Sequence, residues 1–307
     1  MHFAPAKITN IITFEESEVR AVELTLPLKI ELEEGGKKNI YPLFDVRERP
    51  GTAFVARVFG ARSGREELRT YTCSNFRAGV LETIINDTRE IIDEHRGSNT
   101  SRWWQSDAIK EEMVIPVRVD LAANGQYAVL HDHYNRGDST KSLRLESDPW
   151  WCDKKILYLA FYTGLTTALG PIRHMAAQKF GHPAMHPVGP SVTLALSVRK
   201  RSRLMFHEEL KELEKRFPHN FSYRVVLTGE GERLENHPYT QGRIYRRVRG
   251  GTFEEGGIVD MSSLYEIIGD INEYHVRMCG GVDAYKDLLC GLASTGKTPL
   301  SIHAETW

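Results

Sequence analysis

Leu68-Arg69-Thr70-Tyr71-Thr72-Cys73-Ser74-Asn75 sets a cation, a phenol, three further hydroxyls, a thiol and an amide in one run of eight residues. Two readings are open from the residues alone. The run is a half-buried strand with Tyr71 and Cys73 facing inward and Thr70 and Thr72 outward. Alternatively, it is a surface laid against a large, flat, charged ligand. What surrounds it narrows the choice.

Upstream, ITNIITFEES, AVELTLPL and FVARVFGA carry β-branched or alternating apolar residues, with Pro50-Gly51 and Gly60 as turns, which predicts strands. Downstream the period changes. In the stretch 77–95 the apolar residues Val80, Leu81, Ile84, Ile85, Ile91 and Ile92 are spaced for one face of a helix ending at His95-Arg96-Gly97. MVIPVRVDL then reads as a strand. From Ile156 a different pattern begins: ILYLAFYTG as a buried parallel strand, PIRHMAAQKF as a helix, SVTLALSV (strand), FHEELKELEKRF (helix), SYRVVLTG (strand), MSSLYEIIG (helix), VRMCGG (strand), DAYKDLLCGLA (helix) and SIHAETW (strand). Alternation of this kind predicts a parallel sheet with helices on both faces. The expected organisation is therefore a mainly antiparallel β domain over 1–150 and an α/β domain over 151–307.

Bulk properties exclude several classes. The 307 residues are 41% hydrophobic and 26% charged, with 40 basic and 41 acidic side chains and a net charge of -1. This balance gives no case for nucleic acid or an anionic membrane. No apolar run approaches the roughly 18 residues a membrane helix needs. MHFAPAKITN has no charged head followed by an apolar stretch, so a cytoplasmic protein is expected. Cys73, Cys152, Cys279 and Cys290 are dispersed without a CxxC pair, against a zinc or iron–sulfur site.

Short motifs need structural context. Gly291 to Thr298 satisfies GxxxxGK[ST], but it follows a helix and precedes Pro299, so it reads as a helix C-terminus rather than a phosphate loop. His131-Asp132-His133 lacks a third and fourth ligand nearby, and Arg136-Gly137-Asp138 is a turn. Arg199-Lys200-Arg201-Ser202-Arg203 is different. It falls at the carboxyl end of a parallel strand, where open α/β sheets bind ligands, and guanidiniums there suit a phosphate monoester.

In this order the pieces resemble the ferredoxin/flavodoxin–NADP+ reductase superfamily over nearly the whole chain. LRTYTCSN is similar to its Arg-x-Tyr-Ser/Thr motif, with Asn75 as in the bacterial flavodoxin/ferredoxin reductases. Pro50 to Phe54 resembles a Pro-Gly turn leading into an aromatic residue. Ile115-Pro116-Val117-Arg118 and GQYAVLHDHYNRGD stand where the family has a VPVR-like strand and a Gly-x-x-Ser helix start. TGLTTALGPIRHM resembles its dinucleotide loop, and Met278 to Gly281 its Cys-Gly-x-x motif. Two features depart from the family: an insertion, expected helical, over about 76–112 with Trp103-Trp104, and the longer segment 181–190.

The resemblance implies an FAD-binding barrel followed by an NADP-binding α/β domain. For FAD it implies Arg69 on the pyrophosphate, Tyr71 on the isoalloxazine and Thr72 near N5. It also implies contacts from Asn75, Val117 and Arg118, backbone amides of Gly125, Gln126, Tyr127 and Ala128 at a helix start, and Trp307 over the flavin. For NADPH it implies Thr167, Gly170, Pro171, Arg199, Arg201, Arg203, Gly280 and Gly281. Cys279 and Glu305 join Thr72 and Trp307 in catalysis. The expected partner of a monomeric protein is a separate carrier, ferredoxin or flavodoxin. The alternatives are an NADH-dependent flavin reductase feeding an oxygenase or a ferric chelate, and a non-catalytic flavin-binding redox sensor.

Overall fold

A computed structural model describes residues 1–14, 19–43, 52–61, 63–77, 79–85, 99–121, 125–129, 131–132, 154–180, 191–229, 231–241 and 269–306. The chain divides into two compact units, Met1–Arg144 with Leu169–Pro171, and Leu145–Ala168 with Ile172–Trp307. Residues 261–268 of the expected helix MSSLYEIIG, the segment 181–190, His133, the turn at Asn135–Asp138, Cys152 and Trp307 lie outside the described residues.

The first unit is built from β1 (His2–Thr13), β2 (Arg20–Thr25), β3 (Lys29–Glu34), β4 (Lys37–Pro42), β5 (Thr52–Phe59), β6 (Glu66–Thr72), β7 (Asn75–Arg77), β8 (Val80–Ile85), a short helix α1 (Asn99–Trp104), β9 (Val114–Leu121), β10 (Tyr127–Ala128) and β11 (His131–Asp132). β3 and β4 make a separate hairpin. The other strands form an antiparallel sheet in which β6, β5, β9, β1, β2 and β8 are successive neighbours. Its two ends are joined: the Thr83 hydroxyl donates to the Thr72 carbonyl at 2.8 Å, and the Ser74 amide donates to the Glu82 carbonyl at 2.8 Å. The buried Ser74 hydroxyl adds a 2.6 Å bond to Glu82 Oε1. The sheet thereby closes into a barrel, which leaves no open edge at that seam. Alternation fills it, with Ala4, Ala6 and Ile8 of β1, Phe54, Ala56 and Val58 of β5, and Ile115, Val117 and Val119 of β9 all buried. Small alanines on three crossing positions leave room for the fully buried Trp104, Tyr127 and Phe54.

Two expectations fail in this unit. Residues 80–85 are a strand, not a helix: β8 pairs with β2 from Arg20↔Ile85 to Thr25↔Val80. It is buried on both faces, so period-two alternation is hidden, and Leu81 and Ile85 satisfy a helical spacing by accident. Among the described residues the helix of the insertion is α1, six residues long; residues 86–98, which hold Ile91, Ile92 and His95 of the expected helix, lie outside them. Nor does a helix start at 125–128. Tyr127 and Ala128 pair with Leu121 and Asp120, and Tyr127 and Val129 alternate into the core. The Tyr127 hydroxyl donates to the Pro27 carbonyl.

The second unit is a six-stranded, all-parallel sheet of β12 (Lys155–Phe161), β13 (Ser191–Val198), β14 (Phe221–Leu227), β15 (Tyr239–Gln241), β16 (Tyr274–Gly280) and β17 (Ser301–Thr306). The order is β15-β14-β13-β12-β16-β17, so the chain direction across the sheet reverses beside β12. The helices are α2 (Leu165–Ala177), α3 (His207–Arg216) and α4 (Val282–Thr295). Residues 156–160 are buried without interruption, as a strand covered on both faces requires. α4 lays Ala284, Leu288 and Leu292 on Leu157, Leu159, Val276 and Met278. It ends at Gly296 with φ 64, so the GxxxxGK[ST] match is a helix end, as its context predicts.

Candidate functional site

In the second unit β12 and β16 flank the point where strand order reverses, the place where open α/β sheets hold ligands. β12 turns through Tyr162–Gly164 into α2, and β16 passes through Gly281 into α4. The strand ends are pressed together. A Cβ on Gly164 would lie 2.2 Å from the Cys279 carbonyl oxygen, and one on Gly280 would lie 2.7 Å from the Phe161 ring. α4 begins after Gly281 without a side-chain cap, whereas α2 runs on from the turn Tyr162–Gly164, whose Tyr162 and Thr163 carbonyls take the Leu165 amide. Uncapped first-turn amides carry partial positive charge and suit an anion. At Gly281 a Cβ would meet nothing within 4 Å, so backbone is open to approach there.

The expected dinucleotide loop is shorter than the sequence suggested. Leu165, Ala168, Leu169 and Ile172 are buried at helical spacing. The Thr166 and Thr167 hydroxyls donate to the carbonyls of Thr163 (2.7 Å) and Gly164 (3.0 Å). The helix therefore starts before Thr167, and Gly170 and Pro171 lie inside it rather than in a loop. Thr167, Cys279 and Glu305 are brought together. Cys279 pairs with Glu305 across β16 and β17. Burial pushes its thiol up to about 12, the Glu305 carboxylate adds to this, and a hydrogen bond with Thr167 opposes it. Cys279 is a neutral thiol at physiological pH.

The arginine run occupies the carboxyl end of β13. Arg199 and Arg201 are exposed and Arg203 half-buried. A loop after β14 locks the backbone here: the Gly229 amide donates to the Arg199 carbonyl at 2.9 Å, and a Cβ on Gly229 would come within 2.3 Å of that oxygen. The Arg201 amide donates to Glu232 Oε2 at 3.0 Å. The Arg203 guanidinium stands 5.1 Å from the centre of the Tyr162 ring. Sequence reading missed Gly164, Gly229, Tyr162 and Glu232. A glycine ending an apolar strand was a usable signal for Gly164. Nothing in the sequence joined Glu232 to a segment 31 residues upstream.

In the first unit β6 pairs Arg69 with Ala56 and Tyr71 with Phe54. Both therefore share one face of the strand, Tyr71 turned onto the core and Arg69 reaching solvent, with Thr72 on the other face. Arg69 is exposed and ion-paired with Glu67. Tyr71 packs on Phe54 (ring centres 5.6 Å apart) and edge-on against Trp104 (5.8 Å), and its oxygen accepts from Trp104 Nε1 at 2.8 Å. Burial pushes its hydroxyl up to about 12. Thr72 and Asn75 are half-buried, and Asn75 pairs with Glu82. Val117 is wholly in the core, which leaves only its backbone for a ligand. Arg118 bonds Asp120 at 3.3 Å. Gly125, with φ 75, and Gln126 precede the strand that holds Tyr127 and Ala128.

No protein-family model and no curated protein matches the chain. Solved structures do, and they share one architecture, the two-domain fold of ferredoxin–NADP+ reductases and their relatives; this chain has that fold. The flavohem-like FAD/NAD-binding domain of a Vibrio cholerae nitric oxide dioxygenase aligns with a TM-score of 0.64 at 13% identity, covering 100% of this chain and 99% of that one. A cytochrome P450 reductase from Amycolatopsis gives 0.62 at 16%, over 99% and 69%. The ferredoxin-NADP+ reductase from Plasmodium falciparum with 2'P-AMP gives 0.60 at 13%, over 99% and 96%.

Proposed function

We propose that the chain is an FAD-dependent NADPH oxidoreductase working with a separate one-electron carrier, ferredoxin or flavodoxin. The observation that carries this is the uncapped, open helix start at Gly281 beside the strand-order reversal, with Arg199, Arg201 and Arg203 at the end of β13 in the same sheet. The helix start at Gly281 takes the pyrophosphate of NADPH, and the arginines take its ribose phosphate. Thr167, Gly280 and Gly281 line the approach. FAD supplies chemistry no side chain has, since it accepts a hydride and releases electrons singly. Arg69 neutralises its pyrophosphate, Arg118 adds a contact, Tyr71 packs on its ring, and the Thr72 hydroxyl serves the ring nitrogen. Asn75 and Trp307 complete the flavin contacts. The neutral Cys279 thiol and the Glu305 carboxylate border the nicotinamide. We place the protein in the cytoplasm, as a monomer.

A second reading has one observation in its favour. Glu232 holds the Arg201 amide and puts a carboxylate beside the cations, where an enzyme preferring NADH would keep an acceptor for ribose hydroxyls. Anaerobic stopped-flow reduction of the purified yellow protein decides. Faster bleaching by NADPH than by NADH is expected, and Arg199→Ala should raise KM for NADPH roughly tenfold, the value of one charge-assisted bond, while leaving NADH nearly unchanged. Equal effects on both nucleotides would overturn the phosphate assignment. No bleaching by either would leave a flavin-binding sensor in its place.

A further inference from the structure

Beyond the proposed reaction, and resting on the flavin reading, we infer that Tyr71, Trp104 and Trp103 form a relay that moves an oxidising equivalent from the flavin motif to the protein surface. The geometry is continuous. Trp104 Nε1 donates to the Tyr71 oxygen at 2.8 Å, and their rings meet edge-on with centres 5.8 Å apart. Trp103 and Trp104 follow at 5.0 Å, and Phe59 packs on Trp103 at 6.0 Å. Trp104 is fully buried and Phe59 is 43% exposed; Trp103 is half-buried. Arg20 pins the tryptophan segment by donating to the carbonyls of Trp104 (2.9 Å) and Ser106 (3.3 Å), so the rings are held in place.

Tyrosine and tryptophan are the side chains most readily oxidised by one electron. Transfer rates fall exponentially with distance, so two short hops between touching rings outrun one long jump. Oxidised flavin excited by blue light is the oxidant. It takes one electron from Tyr71; Tyr71 keeps its proton and is refilled by one electron from Trp104; Trp104 is refilled by one electron from Trp103; and Trp103, the half-buried member, loses its indole proton to water. Trp104 has no such outlet, because it is buried and its N–H is given to Tyr71. The electron vacancy therefore settles at Trp103 as a neutral radical, which a soluble one-electron reductant such as ascorbate refills.

The test is flash photolysis of the full chain loaded with FAD, read by the absorption of the neutral tryptophan radical, with FAD uptake and circular dichroism as folding checks. The wild type should give a long-lived radical that ascorbate shortens. Trp103→Phe, which keeps the ring volume at a half-buried position, should abolish the long-lived radical while FAD still binds. Trp104→Phe should abolish it as well. A long-lived radical in Trp103→Phe equal to the wild type's, or none in an FAD-loaded wild type, would overturn the relay and leave the flavin reading standing. A chain that takes up no FAD would overturn both.

Discussion

Adding one methyl group at Gly164 should loosen the second unit at its ligand-binding end. The Cβ of Gly164→Ala would lie 2.2 Å from the Cys279 carbonyl oxygen and 2.8 Å from its carbon, against the 3.4 Å at which ordinary contact begins. Both sides of this clash are backbone, so the start of α2 and the end of β16 must part by roughly 1 Å, and overpacking of that kind costs about 3 kcal/mol. Gly280→Ala meets the Phe161 ring at 2.7 Å; a side chain can turn away, and the cost drops to about 1 kcal/mol. Gly281 has φ -61 and ψ 148 with nothing within 4 Å, so Gly281→Ala should be neutral or stabilising by about 0.5 kcal/mol. In urea, with slopes of about 1–3 kcal/mol/M, Gly164→Ala should lower the midpoint by about 1–3 M. Hydrogen exchange should speed up at the β12 and β16 amides. A Gly164→Ala midpoint equal to the wild type's, or a larger loss in Gly281→Ala, would refute the close approach of the two strand ends.

Acid should weaken the same unit. Burial, then repulsion from His237, pushes His207 down to about 4 from an ordinary 6.5. Below 6.5 the unfolded chain binds a proton the folded chain refuses, so stability falls as pH drops from 6.5 toward 4, by about 1–2 kcal/mol given partial solvent exposure. His207→Phe should flatten that slope in urea titrations at pH 7 and 5, and an unchanged slope would count against it. Among thiols, Cys290 is exposed and Cys279 buried; peptide mass spectrometry after brief alkylation should find Cys290 modified and Cys279 intact. Ser74→Ala removes the 2.6 Å bond to the buried Glu82 and should cost about 1–3 kcal/mol in the urea midpoint. A loss near zero would mean that the Ser74 hydroxyl does not help to close the barrel.

The fold was largely legible because its strands obey two simple patterns. β1 and β9 alternate, and β12 is apolar throughout; the first pattern marks a sheet buried on one face, the second a sheet buried on both. β8 broke the rule by belonging to the barrel while being covered on both sides, and a strand of that kind shares its apolar spacing with a helix. Gly170-Pro171 misled for a related reason. Proline normally marks where a helix begins, but the buried stripe from Leu165 to Ile172 outweighs the hydrogen bond that Pro171 cannot make. At the site, the identity of the arginines was readable and their neighbours were not. Glu232 and Gly229 come to Arg201 and Arg199 through tertiary folding, and no local pattern announces such contacts. Tyr71 was foreseen as inward-facing on the strand reading, yet its partner Trp104 comes from 33 residues away.

The seam of the barrel has a thermodynamic consequence. The residues that close it, Thr72 through its carbonyl and Ser74 through its amide and hydroxyl, belong to the same short run as Arg69 and Tyr71. Occupancy by the proposed flavin would therefore be linked to folding. A ligand gripping this run at a hundred times its dissociation constant would add about 2.7 kcal/mol to the closed barrel, and its loss would be felt first as an opening of the seam between β6 and β8.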